Sequence, residues 1–220
     1  MSKRPVLTWV LMISCILLFV GARAGSGGQT PAFTADLSPA RLALWPFDSP
    51  RFRPWQLLTY AFQHGSVPHL VLNLLGLWVF GSWLERSFGW RRTLLLYAAS
   101  VLIAGVVQQS MSRWLGPAQP IIGASGGIFG LLVAFARAFP DSRLLILPLP
   151  VPVKARTAAL VFALVELCAA LPLGWGWWRA MTALFGNTAH FAHLGGMLGG
   201  LLFSPGRASQ PPPSPDTAPP

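Results

Sequence analysis

All four histidines of this 220-residue chain fall in two places, His64 with His69 and His190 with His193. His69 and Asn73 stand four apart in an apolar stretch, so on a helix both point the same way, about one turn apart. The pair supplies either a hydrogen bond between helices or imidazole and amide donors for a reacting group. Ser125 stands in Gly123-Ala124-Ser125-Gly126-Gly127, at the head of another apolar stretch. A hydroxyl at a helix N-terminus lies beside free backbone N–H groups and the positive dipole end, which together hold a negative oxygen. Its plainer use there is as an N-cap. A serine, a histidine to take its proton, and further imidazole and amide donors are the nucleophile, general base and oxyanion stabilisers of a serine hydrolase.

The elements that would position these groups are membrane helices. Charged residues make up 10% of the chain and apolar ones 53%, whereas a soluble domain carries about 25% charged residues to cover its surface. Six stretches approach the roughly 20 apolar residues that cross a bilayer: Val6 to Ala22, Pro68 to Leu84, Thr93 to Met111, Ala124 to Phe139, Ala155 to Leu171 and Thr188 to Phe203. Several are short, which implies tilt or local thinning. The first reads alternatively as a signal peptide, with Lys3 and Arg4 before it and Ala22-Arg23-Ala24 as the cleavage site.

With the N-terminus inside, Lys3, Arg4, Arg86, Arg91, Arg92, Arg137, Arg143, Lys154, Arg156 and Arg207 are cytoplasmic. Only Arg23, Arg41, Arg51, Arg53, Arg113 and Arg179 face out, so both termini are expected in the cytoplasm. Trp175, Trp177 and Trp178 beside Arg179 read as an outer aromatic belt. Spans two, four and six then all start at the outer surface, each with its polar group near its beginning. Gly126 with Gly130, and Gly196 with Gly200 on the His193 side of its helix, are small-xxx-small pairs that let spans four and six approach closely. Ser125, His193, His69 and Asn73 are thereby expected in one outer layer. Glu85, at the inner end of span two, and Glu166, well inside span five, are read as remote from it, which makes the site a Ser-His dyad rather than a triad. His64 and His190 read as supports or water lining for the site, with plain packing as the alternative.

With these residues in place the chain resembles the rhomboid family of intramembrane serine proteases. The resemblance rests on the His-xxx-Asn of His69 and Asn73, the Gly-x-Ser-Gly of Gly123 to Gly126, and the Ala-His-xx-Gly-xxx-Gly of Ala192 to Gly200, in family order over about Trp55 to Phe203. It implies an all-α membrane protein with a six-transmembrane-helix bundle, Ser125 as nucleophile and His193 as base. His69, Asn73 and the Ser125 amide would stabilise the oxyanion. Two positions depart from the pattern. Gln56 follows Trp55 where family members often have Arg, and Phe129 stands where better-known bacterial members carry the Tyr that packs on the catalytic imidazole.

The resemblance implies a hydrolase of a multi-pass membrane, such as a bacterial inner membrane, that cuts transmembrane protein substrates near the outer leaflet in a hydrated cavity, helped by local unwinding of the substrate helix. No metal or organic cofactor is implied, and the spread of the 16 basic residues in ones and twos argues against a nucleic-acid partner in spite of the net charge of +10. Cys15 and Cys168 lie in apolar runs and read as small hydrophobes, without disulfide or metal. Residues 1–204 form the expected membrane domain, and residues 205–220 a disordered Pro-rich cytoplasmic tail. A catalytically silent relative that binds transmembrane clients is a second class of function, and a small transporter with histidine proton relays a third. The silent relative would normally lack Ser or His. The transporter predicts ionisable groups spread through the membrane thickness and an inverted repeat.

Overall fold

The computed structural model describes residues 4–25, 41–115, 119–145, 151–171 and 189–207. The tryptophans at 175, 177 and 178 with Arg179, the residues of the tail from 208 onward and much of the long first loop lie outside the described residues. Each of the six apolar stretches falls on a helix. These are α1 (Val6–Gly25), α3 (Val67–Gly76) continuing into α4 (Ser82–Phe88), α5 (Trp90–Leu115), α6 (Ser125–Ala138), α7 (Ala155–Ala170) and α8 (His190–Phe203), with a short α2 (Gln56–Thr59) in the first loop. Three segments, Val6–Ala24, Val67–Phe88 and Trp90–Met111, are long and apolar enough to cross a membrane. The helices α6, α7 and α8 are shorter, at 14, 16 and 14 residues.

Local chemistry sets the ends. Ser66, in extended backbone, accepts the His69 amide at 3.2 Å as the N-cap of α3, with Pro68 in the first turn, where its missing N–H costs nothing. A π-helical segment, Leu77–Gly81, joins α3 to α4, and Gly89 at φ +84° ends α4 by donating its amide to Glu85 O at 2.8 Å. The start of α1 is capped by another helix. Glu85 Oε1 accepts the Leu7 amide, and Oε2 accepts the Thr8 amide and hydroxyl, each at 2.8 Å.

One feature departs from the all-α expectation. Between α6 and α7 the chain forms a small antiparallel pair, β1 (Arg143–Leu145) with β2 (Pro152–Lys154), in register Arg143 to Lys154. Asp141 at its base lies 3.4 Å from both the Lys154 ammonium and the Arg156 guanidinium and 3.8 Å from that of Arg207.

The packing centre is α8, whose glycines face two neighbours. A methyl at Gly195 or Gly199 would stand 2.9 Å from Ala104 Cα or 2.6 Å from Ser100 Cα of α5, and one at Gly196 or Gly200 would overlap the Gly126 or Gly130 carbonyl of α6. Backbone-to-backbone approach of this kind is what residues without side chains allow.

Candidate active site

Gly123 adopts φ +121°, a region that disfavours any side chain, and turns the chain into α6. Its amide donates to Tyr60 O at 2.9 Å, while the Tyr60 hydroxyl donates to Val101 O of α5 at 2.8 Å, so the turn is braced against the bundle. The N-cap of α6 is Ala124, without a side-chain bond, and Ser125 is the first helical residue. Ile128, donating to Ala124 O at 3.0 Å, opens the helix ladder, so the amides of Ser125, Gly126 and Gly127 have no acceptor within the helix. The Ser125 hydroxyl does not serve as a cap. Its Oγ lies 2.8 Å from His193 Nε2.

His193 belongs to the first turn of α8, where Gln108 of α5 accepts the Ala192 amide at 2.9 Å. Phe129 covers its ring, with centroids 4.3 Å apart and planes 22° from parallel, so the ring at this position packs on the imidazole without a hydroxyl. His193 is buried, while Ser125 and His69 are half-buried. The space left by the missing Cβ of Gly123 is bordered by both groups. A methyl there would stand 2.7 Å from His69 Nε2 and 3.8 Å from Ser125 Oγ. Glycine at this position thus lets the His69 imidazole approach the Ser125 hydroxyl at the start of α6. Asn73 is buried on the next turn of α3, but one amide hydrogen goes to His69 O at 2.7 Å, and its Oδ1 has no partner among the described residues. His64 packs against His69 with ring centroids 5.0 Å apart. It precedes the span, and burial, with His69 beside it, lowers its pKa to about 4.

The expectation that no carboxylate approaches this layer is wrong. Glu166 Oε1 lies 2.9 Å from His193 Nδ1, and its Oε2 bonds His190 Nδ1 at 2.6 Å. The serine and histidine therefore have a third, acidic neighbour, which also carries a hydrogen bond from His190. The physical reason is direction. Helix α7 leads away from the Asp141 end, so its last turns return to the layer where α6 and α8 begin, and Glu166 stands four residues before its final residue, Ala170. Glu166, His190 and His193 offer donor atoms within 4.8 Å of one another, a set able to hold a cation. The 2.6 Å contact of His190 Nδ1 is a hydrogen bond, whereas the 2.9 Å approach of His193 Nδ1 is an ion-pair distance without hydrogen-bond angles.

Gln56 was the departure without a role in the sequence. Buried, it ties the first loop together: Oε1 accepts the Trp45 and Arg53 amides at 3.3 and 3.1 Å, and Nε2 donates to the Arg41 and Arg51 carbonyls at 3.1 and 3.0 Å. That loop is paired with the approach to the nucleophile, because Leu44 and Ile121 exchange both backbone hydrogen bonds at 3.0 Å.

Comparison with known proteins agrees with this architecture. The family model described as the Rhomboid domain matches residues 51–209. The chain is 29% identical over 200 residues to the proteins named Rhomboid protease GlpG of Salmonella choleraesuis, Salmonella newport and Salmonella typhimurium, an alignment covering 90% of this chain. It spans 61% of the length of those relatives. Together with its three long apolar helices, this makes the chain an integral membrane protein. It belongs to the rhomboid family.

Proposed function

We propose that the chain is an intramembrane serine endopeptidase that cleaves transmembrane segments of membrane proteins near the outer leaflet. Six helices span the membrane in this reading, with both termini cytoplasmic, and the bacterial inner membrane is the compartment that fits. The observation that carries it is Ser125 Oγ at 2.8 Å from His193 Nε2, at the N-terminus of a helix that has no side-chain cap.

Ser125 Oγ attacks the scissile carbonyl as its proton passes to His193 Nε2. The tetrahedral oxyanion lies against the Ser125 amide and the His69 imidazole, with the second amide hydrogen of Asn73 as a further donor. Collapse breaks the C–N bond, and His193 returns the proton to the leaving amine. Water then attacks the Ser125 ester, losing its proton to His193. The second collapse releases the carboxyl product and restores the hydroxyl. The half-buried serine and His69 are consistent with water reaching this layer from the outer side. A catalytically silent relative would need neither the serine nor its contact with His193.

The test is cleavage of single-span substrates by purified protein in liposomes. Ser125→Ala and His193→Ala are each expected to abolish it while the bundle still folds, with non-additive losses; removing either member costs about 10⁶-fold in a soluble serine hydrolase. A serine-directed fluorophosphonate should label the wild type and not Ser125→Ala. Persistent cleavage by Ser125→Ala would overturn the reading.

A further inference from the structure

Glu166 is a buried carboxylate in a helix otherwise apolar over Ala158 to Leu171, and burying such a group without partners is costly. Its two oxygens address two imidazoles of one helix turn, Oε2 at 2.6 Å from His190 Nδ1 and Oε1 at 2.9 Å from His193 Nδ1. His193 Nδ1 is buried and makes no well-angled hydrogen bond among the described residues, so the Glu166 carboxylate at 2.9 Å meets it as a charged neighbour, while the opposite nitrogen of the same ring meets Ser125 Oγ.

We infer that Glu166 is a positioning residue for the reaction, holding the Nδ1–H tautomer of His193 so that Nε2 presents its lone pair to Ser125, with His190 fixing the carboxylate. This rests on the function proposed above and adds a member to it. A neutral imidazole carries one proton on either nitrogen, and only the Nδ1–H form accepts the serine proton at Nε2. A carboxylate at Nδ1 selects that form and stabilises the imidazolium produced when the serine proton arrives. The proton transferred is the one on Ser125 Oγ. It goes to Nε2 and later to the leaving amine, while Glu166 stays ionised. His190 supplies the remaining constraint: by donating to Oε2 it fixes the rotamer that aims Oε1 at His193.

Beside the stacked Phe129, three polar groups contact the His193 ring, Glu166 from α7, Ser125 from α6 and His190 from its own helix, and the His69 imidazole of α3 is near enough to act on it electrostatically. From α5 the neighbour is the neutral Gln108, and the charged Arg92 of that helix lies beside Phe203, at the far end of α8. Glu166 is therefore the only negative group against the imidazole among the described residues.

The experiment uses the purified full chain with a single-span substrate. Glu166→Gln keeps the shape and removes the charge, and is expected to lower kcat on the order of 10²- to 10⁴-fold, the range seen when a triad carboxylate becomes an amide. KM should hold, and the acid limb of the kcat/KM profile should move to lower pH, because the imidazolium has lost its anion. His190→Gln, which keeps a donor, should lose far less. Wild-type kcat and pH profile in Glu166→Gln would overturn the inference. If Glu166→Gln unfolds, the wild type decides: with ¹⁵N-labelled histidine and the His193→Ala spectrum as reference, His193 should carry its proton on Nδ1. A proton on Nε2 overturns it. Neither outcome touches the reading of Ser125 as nucleophile, which fails only if Ser125→Ala still cleaves.

Discussion

Two buried glutamates, 3% and 7% exposed, stand at opposite ends of the helix bundle, and their neighbours differ in kind. Glu85 accepts two backbone amides and a hydroxyl from the first turn of α1. Those donors are fixed by the chain and exchange no proton with the carboxylate, so the group serves as a rivet between α1 and α4. Glu166 faces two imidazoles, which titrate and can pass charge on to a third group. The same side chain at similar burial is thus a helix cap in one place and, in the inference drawn above, the orienting partner of an imidazole base in the other. What distinguishes them is whether the partner can change its protonation.

The largest effect that sharpens this contrast comes from the glycines that bring α6 and α8 together at the imidazole end. In Gly196→Val the new Cβ lies 2.7 Å from Gly126 C and 3.1 Å from Gly126 Cα, against backbone that cannot swing aside. Overpacking here should cost about 3 kcal/mol or more of stability. Displacing His193 from Ser125 by about 1 Å should also lower kcat on the order of 10²-fold in the molecules that still fold. Gly206→Val, with nothing within 4 Å, is the matched control and should be silent. Full activity in Gly196→Val would mean that the serine and histidine are not held together by this helix pair.

Next in size is the other carboxylate. Glu85→Ala strands the Leu7 and Thr8 amides, and leaving buried donors unsatisfied should lower stability by about 2–3 kcal/mol. Measured on folded protein, kcat should be unchanged. A fall in kcat at constant stability would break the comparison, since it would tie the rivet to the chemistry.

Much of the site was legible because each signal was local. The small-xxx-small pairs of Gly126 and Gly130 and of Gly196 and Gly200 have one period and one physical use, and the structure sets those two pairs against each other. The positions of Ser125 and His193 at helix beginnings followed from where the apolar stretches start. The place of Glu166 is hidden when its depth is counted from the start of its span. The span that contains it runs opposite to those of Ser125 and His193, so its last turn belongs to their layer, and four residues before Ala170 is only about 6 Å along the axis. The alternation of span directions contained that answer. Gln56 was different in kind: its four partners lie in an irregular loop, and no periodicity announces them. The β1–β2 pair was equally silent, since a three-residue strand pair with a proline at one end carries too little alternation to read.

The smallest predicted effect concerns the ring that lies on His193. Phe129 stacks on His193 at 4.3 Å with a side chain that carries no proton donor or acceptor, so it packs on the imidazole plane without entering the proton path. Phe129→Leu keeps the apolar cover and removes the ring contact, which is worth about 0.5–1.5 kcal/mol for an aromatic pair. If that contact holds the imidazole in its reactive orientation, kcat/KM should fall by roughly 2- to 10-fold, with the pH profile unmoved, because no charge has been added or lost. Phe129→Tyr should retain wild-type turnover, since the ring persists. A shifted acid limb in Phe129→Leu would mean that the stacked ring, and not Glu166 alone, sets the balance between imidazole and imidazolium. The sharp division between the packing and proton-bearing neighbours of His193 would then have to be redrawn.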